Sequence, residues 1–364
     1  MTPKERMRMA MSGGVPDRVP TMPQICHPHA IRMLELPFRE TILEVLRNPP
    51  LMNRLVLRCA RLYGVDGLRA FLPRETTRLE EDGPNAYSVD EDGRRTGRVD
   101  FRGGGGITPF EECLIRDDAD LERLQVPDAE TLADSPAVAS VRETVREAGD
   151  DLFVASAPGN FTIEGVAFHR GKQQTMHDLI ESPDFAHRII DKLTDMAIQR
   201  ALALCRAGVD ALYLGETFGG VVGPRHFQEF CVPYIARLVD AVQPCDVLTY
   251  LHICGNSTLI LEMMADTGID CIEPLDPLGG VDIADAKRRV GDRVALMGGV
   301  NTVALARGTL DEVVSDCRRC LRDGAPGGGY ILACGDMLPT ETPPDRVRAM
   351  LDAATRFGSY ERSA

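Results

Sequence analysis

The segment SPDFAHRIIDKLTDMAIQRALALCRAGVDALYLG, residues 182–215, joins a long helical pattern to a short apolar strand pattern. A helix is predicted over Ser182–Arg206, because Ser182 offers an N-cap side chain and Pro183 suits the first turn. Gly208 supplies the C-cap, and the predicted strand Val209–Gly215 begins directly after it. The apolar positions of the helix recur at helical spacing and are Phe185, Ile189, Ile190, Leu193, Met196 and Ala197.

The same order of elements extends over the whole chain. Eight short apolar stretches alternate with longer amphipathic segments, most of which carry helical patterns. Strand after helix, eight times, predicts an α/β fold of the (β/α)8 TIM-barrel type, with residues 1–364 in a single domain. The predicted strands are Arg18–Ile25, Val65–Phe71, Asp151–Ala157, Val209–Gly215, Asp246–Ile253, Asp270–Pro274, Val294–Gly298 and Gly329–Cys334.

Residues 76–106 interrupt this alternation. The stretch is polar, charged and glycine-rich, with short alternating runs such as Arg98–Phe101. One or two β-hairpins, inserted before the third strand, are predicted there. Such an insertion either covers the mouth of the barrel or extends into solvent without a role in a site. Gly103–Gly106 lacks the following helix and lysine of a phosphate-binding loop, and it is interpreted as a hinge.

The charge and composition of the chain limit its partners. The formal net charge is −14 and the sequence pI about 5.0, whereas nucleic acids and anionic membranes select basic surfaces. No nucleic-acid partner and no membrane partner is therefore expected. No run reaches the ~18 apolar residues of a membrane span, and Met1–Arg8 is not followed by the apolar run of a signal peptide. We expect a cytoplasmic protein whose 11 cysteines are reduced thiols.

The fifth predicted strand ends in two residues that are common zinc ligands. His252 and Cys254 are two positions apart, so both side chains point to the same face of an extended strand. TIM-barrel active sites lie at the C-terminal ends of the strands, where Cys334 ends the eighth strand and Glu273 lies in the sixth. Together these four residues predict a zinc site whose oxygen ligand can be exchanged for substrate.

Each of these residues also has an ordinary structural interpretation. A histidine at a strand end is often a hydrogen-bonded packing residue, and a buried cysteine is usually a small hydrophobic side chain. The latter applies equally to Cys317 and Cys320, which lie in a predicted helix. The spacing of the residues alone therefore leaves zinc binding and packing both open.

Several segments resemble the uroporphyrinogen decarboxylase superfamily. The resemblance covers the chain from about Pro3 to Gly358 and is strongest after Phe153. No single segment identifies the superfamily, whereas the whole set is fairly specific for it. The segments are His252–Asn256 (HICGN), Met264–Asp270 (MADTGID), Leu296–Asn301 (LMGGVN), Gly327–Leu332 (GGGYIL), Thr342–Pro344 with the helix after it, and Pro224–Phe230 (PRHFQEF) with Pro233.

Within the superfamily, the resemblance favours methyl transfer over porphyrin decarboxylation. The decarboxylases carry an arginine-rich M-R-Q-A-G-R segment that holds substrate carboxylates, whereas this chain has MPQICHPH at Met22–His29. The zinc-dependent methyltransferases carry an H-x-C…C pattern, which His252, Cys254 and Cys334 match. Related cobalamin-independent methionine synthases add a glutamate ligand, to which Glu273 corresponds. The interval that follows the last of these cysteines is longer than in the thiol methyltransferases, which leaves the substrate open.

The function implied by the resemblance is a methyl transfer that depends on zinc. The methyl group would move between a corrinoid (cobamide) cofactor of the cobalamin type and a small thiol or methyl ether. Zinc would either lower the pKa of the thiol or act as a Lewis acid on the ether oxygen. None of the seven histidines follows an aspartate by two positions, so a D-x-H-x-x-G corrinoid motif is absent. A separate corrinoid protein is therefore the expected partner.

Two polar residues follow the third and fourth predicted strands and are candidate catalytic residues. Asn160 and Glu216 are predicted to contact substrate at the C-terminal face of the barrel. Tyr250 precedes His252 by two positions, so it shares the face of that histidine. It is expected deeper in the barrel, as a supporting residue.

Four further residues are candidates for contacting the cofactor. His27 and His29 follow the first strand, and they are expected in a surface loop where they contact a ligand or have no role. Asn256 and Asn301 follow the fifth and seventh strands, where they contact the cofactor or orient the loops.

Three other functions stay open on the sequence. A metal-free decarboxylase of the same superfamily would need clustered arginines, for which Arg170 and Arg225 are the candidates. Methyl transfer from a folate would proceed without a corrinoid protein. A ligand-binding or assembly subunit would keep the barrel without activity, and substitution of the ligand residues would then leave its biological role intact.

Overall fold

The structure is a computed structural model, and it describes residues 1–73, 78–90, 92–102, 104–109 and 114–360. Seven of the strands in this part of the chain are parallel and form one sheet, which follows chain order as β1-β6-β7-β8-β9-β10-β11. The strands are β1 (Gly67–Ala70), β2 (Arg78–Asp82), β3 (Asn85–Val89), β4 (Arg95–Asp100), β5 (Ile107–Pro109), β6 (Phe153–Ser156), β7 (Ala211–Gly215), β8 (Leu248–His252), β9 (Cys271–Leu275), β10 (Ala295–Val300) and β11 (Tyr330–Cys334).

Helices connect the parallel strands and cover the outside of the sheet. This alternation of strand and helix is the α/β barrel that the sequence predicts. The helices of the described residues are α1 (Pro3–Met11), α2 (His27–Met33), α3 (Phe38–Arg47), α4 (Leu51–Tyr63), α5 (Asp118–Arg123), α6 (Ala129–Ala133), α7 (Pro136–Ala148), α8 (Ile163–Arg170), α9 (Lys172–Glu181), α10 (Pro183–Ala207), α11 (Gly219–Phe230), α12 (Val232–Val242), α13 (Leu261–Asp266), α14 (Ile283–Val290), α15 (Thr302–Arg307), α16 (Leu310–Gly324) and α17 (Pro344–Phe357).

The first predicted strand, Arg18–Ile25, lies at the eighth position of the barrel but is not a regular strand. Thr21 pairs with Leu332 of β11 in an isolated parallel bridge, and its carbonyl oxygen accepts from the amide of Asp66, next to β1, at 2.9 Å. Two of the eight residues in this stretch are prolines, which have no amide hydrogen, so a continuous ladder cannot form. The prediction of a strand here is wrong, although the segment does close the ring between β11 and β1.

The carboxylate of Asp66 holds this closing segment next to β1 through hydrogen bonds. It is fully buried and accepts from Arg6 Nη1 at 2.5 Å and from Arg18 Nη1 and Nη2 at 3.0 and 2.9 Å. It also accepts from the amide and the hydroxyl of Thr21, at 2.8 and 3.1 Å. One carboxylate therefore joins helix α1, the closing segment and the start of β1.

The interior of the barrel is a small apolar cluster that helix α1 covers from the N-terminal end of the strands. Lys4 lies 3.2 Å from Asp210, just before β7, and Arg8 lies 3.3 Å from Asp246, just before β8. The cluster consists of Met7, Ala10, Met11, Met22, Phe153, Ala155, Ala211, Tyr250, Cys271, Ala295, Met297, Ile331 and Ala333. The N-terminal end is thus packed shut, and ligands can enter only from the C-terminal ends of the strands.

Helix α10 confirms the prediction made from residues 182–215. It spans Pro183–Ala207, with Pro183 in the first turn and Gly208 at φ 85° as a left-handed C-cap. The prediction of a side-chain cap is wrong in one detail. Ser182 makes no side-chain hydrogen bond to the helix, because its backbone, at φ −143° and ψ 52°, does not have the extended geometry typical of an N-cap.

The predicted hairpin insertion is a four-stranded antiparallel sheet in the order β2-β3-β4-β5. Of the predicted range, Thr76, Thr77, Glu91 and Gly103 lie outside the described residues. The sheet packs on α3, where Arg39 forms an ion pair with Glu81 at 3.0 Å and lies over the ring of Phe101 at 4.5 Å.

The insertion also reaches the loop after β11. A Cβ atom added to Gly104 would lie 3.6 Å from the hydroxyl of Thr340, which follows the C-terminal end of that strand. The insertion therefore contacts one side of the barrel mouth as well as helix α3. No described helix is both long enough and apolar enough to span a bilayer.

We expect Asp66→Asn to lower the free energy of unfolding by about 3 kcal/mol, because it removes the buried charge that two guanidinium groups surround. Urea denaturation followed by circular dichroism measures this change. Asp246→Asn is the matched control, since the Asp246 side chain is 98% exposed in its pair with Arg8. The control should change stability by less than about 0.5 kcal/mol. Equal effects of the two substitutions would contradict a role of Asp66 in closing the barrel.

Candidate active site

The C-terminal end of β8 carries a buried imidazole that is held by a carboxylate. His252 Nδ1 lies 2.5 Å from Glu273 Oε2 of the neighbouring strand β9, and the two residues are partners in the sheet register. Gln24, in the closing segment, donates to Glu273 Oε1 at 2.5 Å and lies 3.0 Å from His252 Nδ1. The ring orientation is therefore fixed from its Nδ1 side.

The surroundings of His252 favour its charged form. Burial of the ring opposes the charge, but interactions with Tyr213 and Glu273 and hydrogen bonds to Cys254 and Glu273 outweigh it, so the pKa lies well above the ordinary value. In this arrangement His252 and Glu273 form a buried ion pair. The other ring nitrogen, Nε2, faces the mouth, 4.0 Å from Asp336 Oδ1.

Two of the other predicted zinc ligands, Cys254 and Glu273, each interact with His252. Cys334 is buried at the end of β11 within the hydrophobic cluster outside the sheet. Burial, with smaller contributions from the carboxylates of Glu273 and Asp336, raises the pKa of its thiol to about 12.

No group of three or more His, Cys, Asp or Glu side chains is arranged to hold a metal ion within the described part of the chain. The zinc site with four ligands therefore stays a prediction. To bind one ion together with His252 and Cys254, the side chain of Cys334 or Asp336 has to move toward them. Successive side chains of a strand point to opposite faces. Because Ile331 and Ala333 of β11 point into the barrel interior, Cys334 points to the outside of the sheet.

Glu216, a candidate catalytic residue, is a buried carboxyl group directly after β7. Its Oε2 atom accepts from the hydroxyl of Thr162 and, at 3.1 Å, from the amide of Glu164. Its Oε1 atom is buried without a hydrogen-bond partner among the described residues. Burial, together with the charge of Glu164, raises the pKa of Glu216 to about 8. Glu216 therefore keeps its proton near neutral pH.

Glu164 is a site residue that the sequence reasoning missed. Its Oε2 atom accepts from the amide of Thr217 at 2.8 Å, and burial raises its pKa. The charge of Glu164 acts on both His252 and Glu216, so it lies between these two residues. An acidic residue in the first turn of α8, directly after a barrel strand, was the available signal. Asn160, which follows β6, lies near the end of β7: a Cβ atom on Gly215 would be 3.6 Å from its Oδ1.

The two histidines expected at the surface are buried instead. Both lie in helix α2, with His27 6% and His29 1% exposed. His29 Nε2 lies 3.0 Å from the hydroxyl of Tyr63, whereas His27 Nε2 has no partner among the described residues. Burial lowers the pKa of each to about 4, so both are neutral. The sequence could not show this, because the helix begins at His27, where a loop was expected.

The two predicted asparagines orient loops through backbone hydrogen bonds. Asn256 Oδ1 accepts from the amide of Thr258 at 3.0 Å. Asn301 caps α15, accepting from the amides of Val303 and Ala304 at 2.8 and 3.1 Å. Their contacts with a cofactor, like those of the two histidines, stay predictions.

A cavity of about 430 Å³ opens at the C-terminal ends of β1 and β6. It is lined by Arg69 of β1, Gly159 after β6, Tyr213 of β7 and Arg200 of α10, among others. The rings of Tyr213 and His252 are 5.2 Å apart, which connects the cavity to the imidazole. Its volume lies in the range of ligand pockets in proteins.

Comparisons with known proteins agree with this architecture. Residues 97–357 match the family described as uroporphyrinogen decarboxylase (URO-D). A uroporphyrinogen decarboxylase of Desulfotalea psychrophila is 28% identical over 321 residues, which cover 86% of this chain and 86% of the relative. One from Methylococcus capsulatus is 31% identical over 252 residues, covering 67% of this chain and 70% of the relative.

Among solved structures, a methyltransferase from Methanosarcina mazei has the same fold. Its TM-score is 0.76 at 22% sequence identity, and the match covers 98% of this chain and 99% of that chain. At this identity the match concerns the fold alone. The choice between the two activities named by these relatives depends on the side chains of the site.

The raised pKa of Glu216 makes stability depend on pH. In the unfolded chain this carboxyl has its ordinary pKa of 4.5. The higher pKa in the folded state therefore stabilises the folded protein fully below pH 4.5. This stabilisation is lost as the pH rises through about 8. We expect the free energy of unfolding of the wild type to fall by up to about 1.4 kcal/mol per pH unit across this window. The Glu216→Gln variant should lack this component.

Urea denaturation at pH 5, 6, 7 and 8 measures the effect. Glu147→Gln is the control, because Glu147 is exposed on α7 and should leave the slope unchanged. The same slope in the wild type and in Glu216→Gln would contradict a buried, protonated Glu216.

Proposed function

This chain belongs to the uroporphyrinogen decarboxylase family, and from this premise we propose that it is a zinc-dependent methyltransferase that works with a separate corrinoid protein. The observation that carries the proposal is the pair His252 and Cys254 at the end of β8, with the imidazole held from behind by Glu273. The missing arginine-rich segment at Met22–His29 supports this assignment over porphyrin decarboxylation.

The donor chemistry of these residues fits zinc. Histidine ligands of zinc commonly bind a carboxylate through the ring nitrogen that does not ligate the metal, and Glu273 holds His252 in this way. Nε2 of His252 is then left for a metal ion, and Cys254, which interacts with the same imidazole, is a thiol of the kind that binds zinc. On binding zinc, His252 would lose its Nε2 proton and Cys334 would move toward Cys254, so that His252, Cys254 and Cys334 could hold the ion. Glu273, predicted as a ligand, either supplies the fourth bond or orients the imidazole.

The residues around this centre divide the remaining tasks. Bound zinc supplies Lewis acidity, which lowers the pKa of a thiol or polarises an ether oxygen. Glu216 carries a proton near neutral pH and, through Glu164, lies next to His252, so the two carboxyl groups can donate a proton to an oxygen of the substrate or take one from a thiol. Asn160, beside the end of β7, binds substrate.

The positions of several exposed apolar side chains support the proposal that a protein partner binds at the barrel mouth. Of the fourteen large apolar side chains exposed in the described residues, five occupy the segments that follow β7 to β11, at the C-terminal face where the active site lies. Exposed apolar groups that share one face can form a surface that binds another protein. Because this chain lacks a corrinoid motif of its own, the partner at this face is the corrinoid protein. The five residues are Val221, Leu259, Leu278, Val303 and Met337.

A second candidate function is porphyrinogen decarboxylation, which the names of the relatives favour. Such a reaction needs several basic groups to hold the substrate carboxylates. Arg170, one of the two candidates, is tied to Asp178 in a short ion pair and to the carbonyl oxygens of Ile115 and Arg116. Arg225, the other, is exposed on α11. Neither lines the cavity beside His252, where Arg69 and Arg200 are the arginines present.

The metal content of the purified protein tests the proposed centre. We expect about one zinc per chain by inductively coupled plasma mass spectrometry, a stoichiometry that follows from a single set of ligands. Cys254→Ala and Cys334→Ala should lose most of the metal. Cys245→Ala serves as the control, because Cys245 lies at the N-terminal end of the barrel, before β8, and its removal should leave the content unchanged. Wild-type protein without metal would refute the zinc centre.

The transfer reaction tests the activity itself. With methylcobalamin in place of the corrinoid protein, we expect the wild type to methylate a small thiol and Cys254→Ala to be slower by at least about 100-fold, as for loss of a residue that acts in the transition state. The absorbance of the corrinoid and mass spectrometry of the thiol report the transfer. Uroporphyrinogen should be recovered with all its carboxyl groups. Loss of carbon dioxide from it, without methyl transfer, would favour the second candidate.

A further inference from the structure

Arg69 is a basic residue inside the barrel that the proposed chemistry does not use. It lies in β1, in register with Ala155 of β6, which belongs to the interior cluster. Paired residues of parallel strands point to the same side of the sheet, so the Arg69 side chain extends into the barrel. An arginine at such a position is costly unless a partner compensates its charge.

No carboxylate of the described residues forms an ion pair with Arg69. Its guanidinium instead lies over two aromatic rings, 4.2 Å from the centre of Tyr213 and 4.9 Å from that of Phe71. Glu273 is near enough to favour the charge, but its oxygens are bound to His252 and Gln24. The rings cover the faces of the guanidinium, and Tyr213 accepts a hydrogen bond from it, which leaves the remaining N–H groups to bind an acceptor.

The remaining N–H groups of Arg69 open into the cavity of about 430 Å³ beside the site. Arg69 is half-buried and lines this cavity, so part of its side chain is accessible from it. A second guanidinium, that of Arg200, lines the same cavity next to Gly159, whose added Cβ would lie 3.1 Å from Arg200 Nη1. Arg69 and Arg200 both line this small cavity, and the positive charge of Arg69 favours an anion there.

We propose that this cavity binds the carboxylate group of a small substrate, with Arg69 as its principal partner and Arg200 beside it. The planar fork of an arginine matches the two oxygens of a carboxylate. Tyr213 lies between Arg69 and His252, so a substrate anchored at Arg69 extends its other end toward His252 and Cys254. That this bound acid is the methyl-transfer substrate rests on the proposed function, whereas the binding site does not.

Binding of two matched thiols tests the site. Mercaptoacetate and mercaptoethanol are similar in length and differ in the carboxylate. Their affinities are measured by calorimetry on protein treated with a chelator, without corrinoid. We expect mercaptoacetate to bind the wild type at least about tenfold more tightly, the size of effect typical of a hydrogen bond to a charged group. Equal affinities of the two thiols for the wild type would overturn the proposal without any variant.

Substitutions then locate the site. Arg69→Gln should reduce the affinity for mercaptoacetate by about 10- to 100-fold and leave mercaptoethanol unchanged. Arg69→Lys, which keeps the charge, should retain part of the preference, and it replaces the glutamine variant if that protein does not fold. Arg58→Gln, on the exposed side of α4, is the matched control and should bind like the wild type. An unchanged preference in folded Arg69→Gln would overturn the assignment of Arg69.

Two further results test whether the site is specific for carboxylates and whether it serves the methyl transfer. Inorganic phosphate that binds as tightly as mercaptoacetate, with the same dependence on Arg69, would overturn the specificity for carboxylates. In the transfer assay, Arg69→Gln should raise the KM for mercaptoacetate more than its kcat changes, with no effect on mercaptoethanol. Selective binding without any methyl transfer would refute the proposed function and keep the anion site, so the two failures are distinguishable.

Discussion

The buried carboxylate of Asp66 is the interaction on which the barrel depends. Two guanidinium groups and the main chain of Thr21 converge on it, so the closing segment stays beside β1 even though its prolines prevent a regular strand. Three residues beyond Thr21, the same segment delivers Gln24 to His252 and Glu273. The closure of the fold and the orientation of the candidate ligand are therefore parts of one arrangement.

The site combines acidic groups in two different states. Glu273 pairs with an imidazole, and this pair fixes one nitrogen of His252 while the other faces the mouth. Among the described residues no basic group pairs with Glu216, and its burial next to Glu164 keeps it protonated near neutral pH. Environments that separate the behaviour of neighbouring titratable groups in this way allow one site to hold a base and supply an acid.

The family and the fold leave the chemistry open, and the side chains at the mouth decide it. Relatives named decarboxylases and a structure of a methyltransferase share the barrel with this chain. The features of this chain that bear on the choice are the pair His252 and Cys254 beside Glu273 and a cavity in which Arg69 is stacked on aromatic rings. These features fit a small acidic thiol or ether better than a large substrate with many carboxylates.

The sequence by itself determined the alternation of strands and helices, the bounds of α10 and the common face of His252 and Cys254, because periodicity and caps act over a few residues. It could not show that His27 lies in a buried helix. The inward position of Arg69 also depends on contacts between residues far apart in the chain. Only the tertiary structure decided which carboxyl group pairs with His252 and which stays protonated, since burial and neighbouring charges set those states and local sequence contains neither.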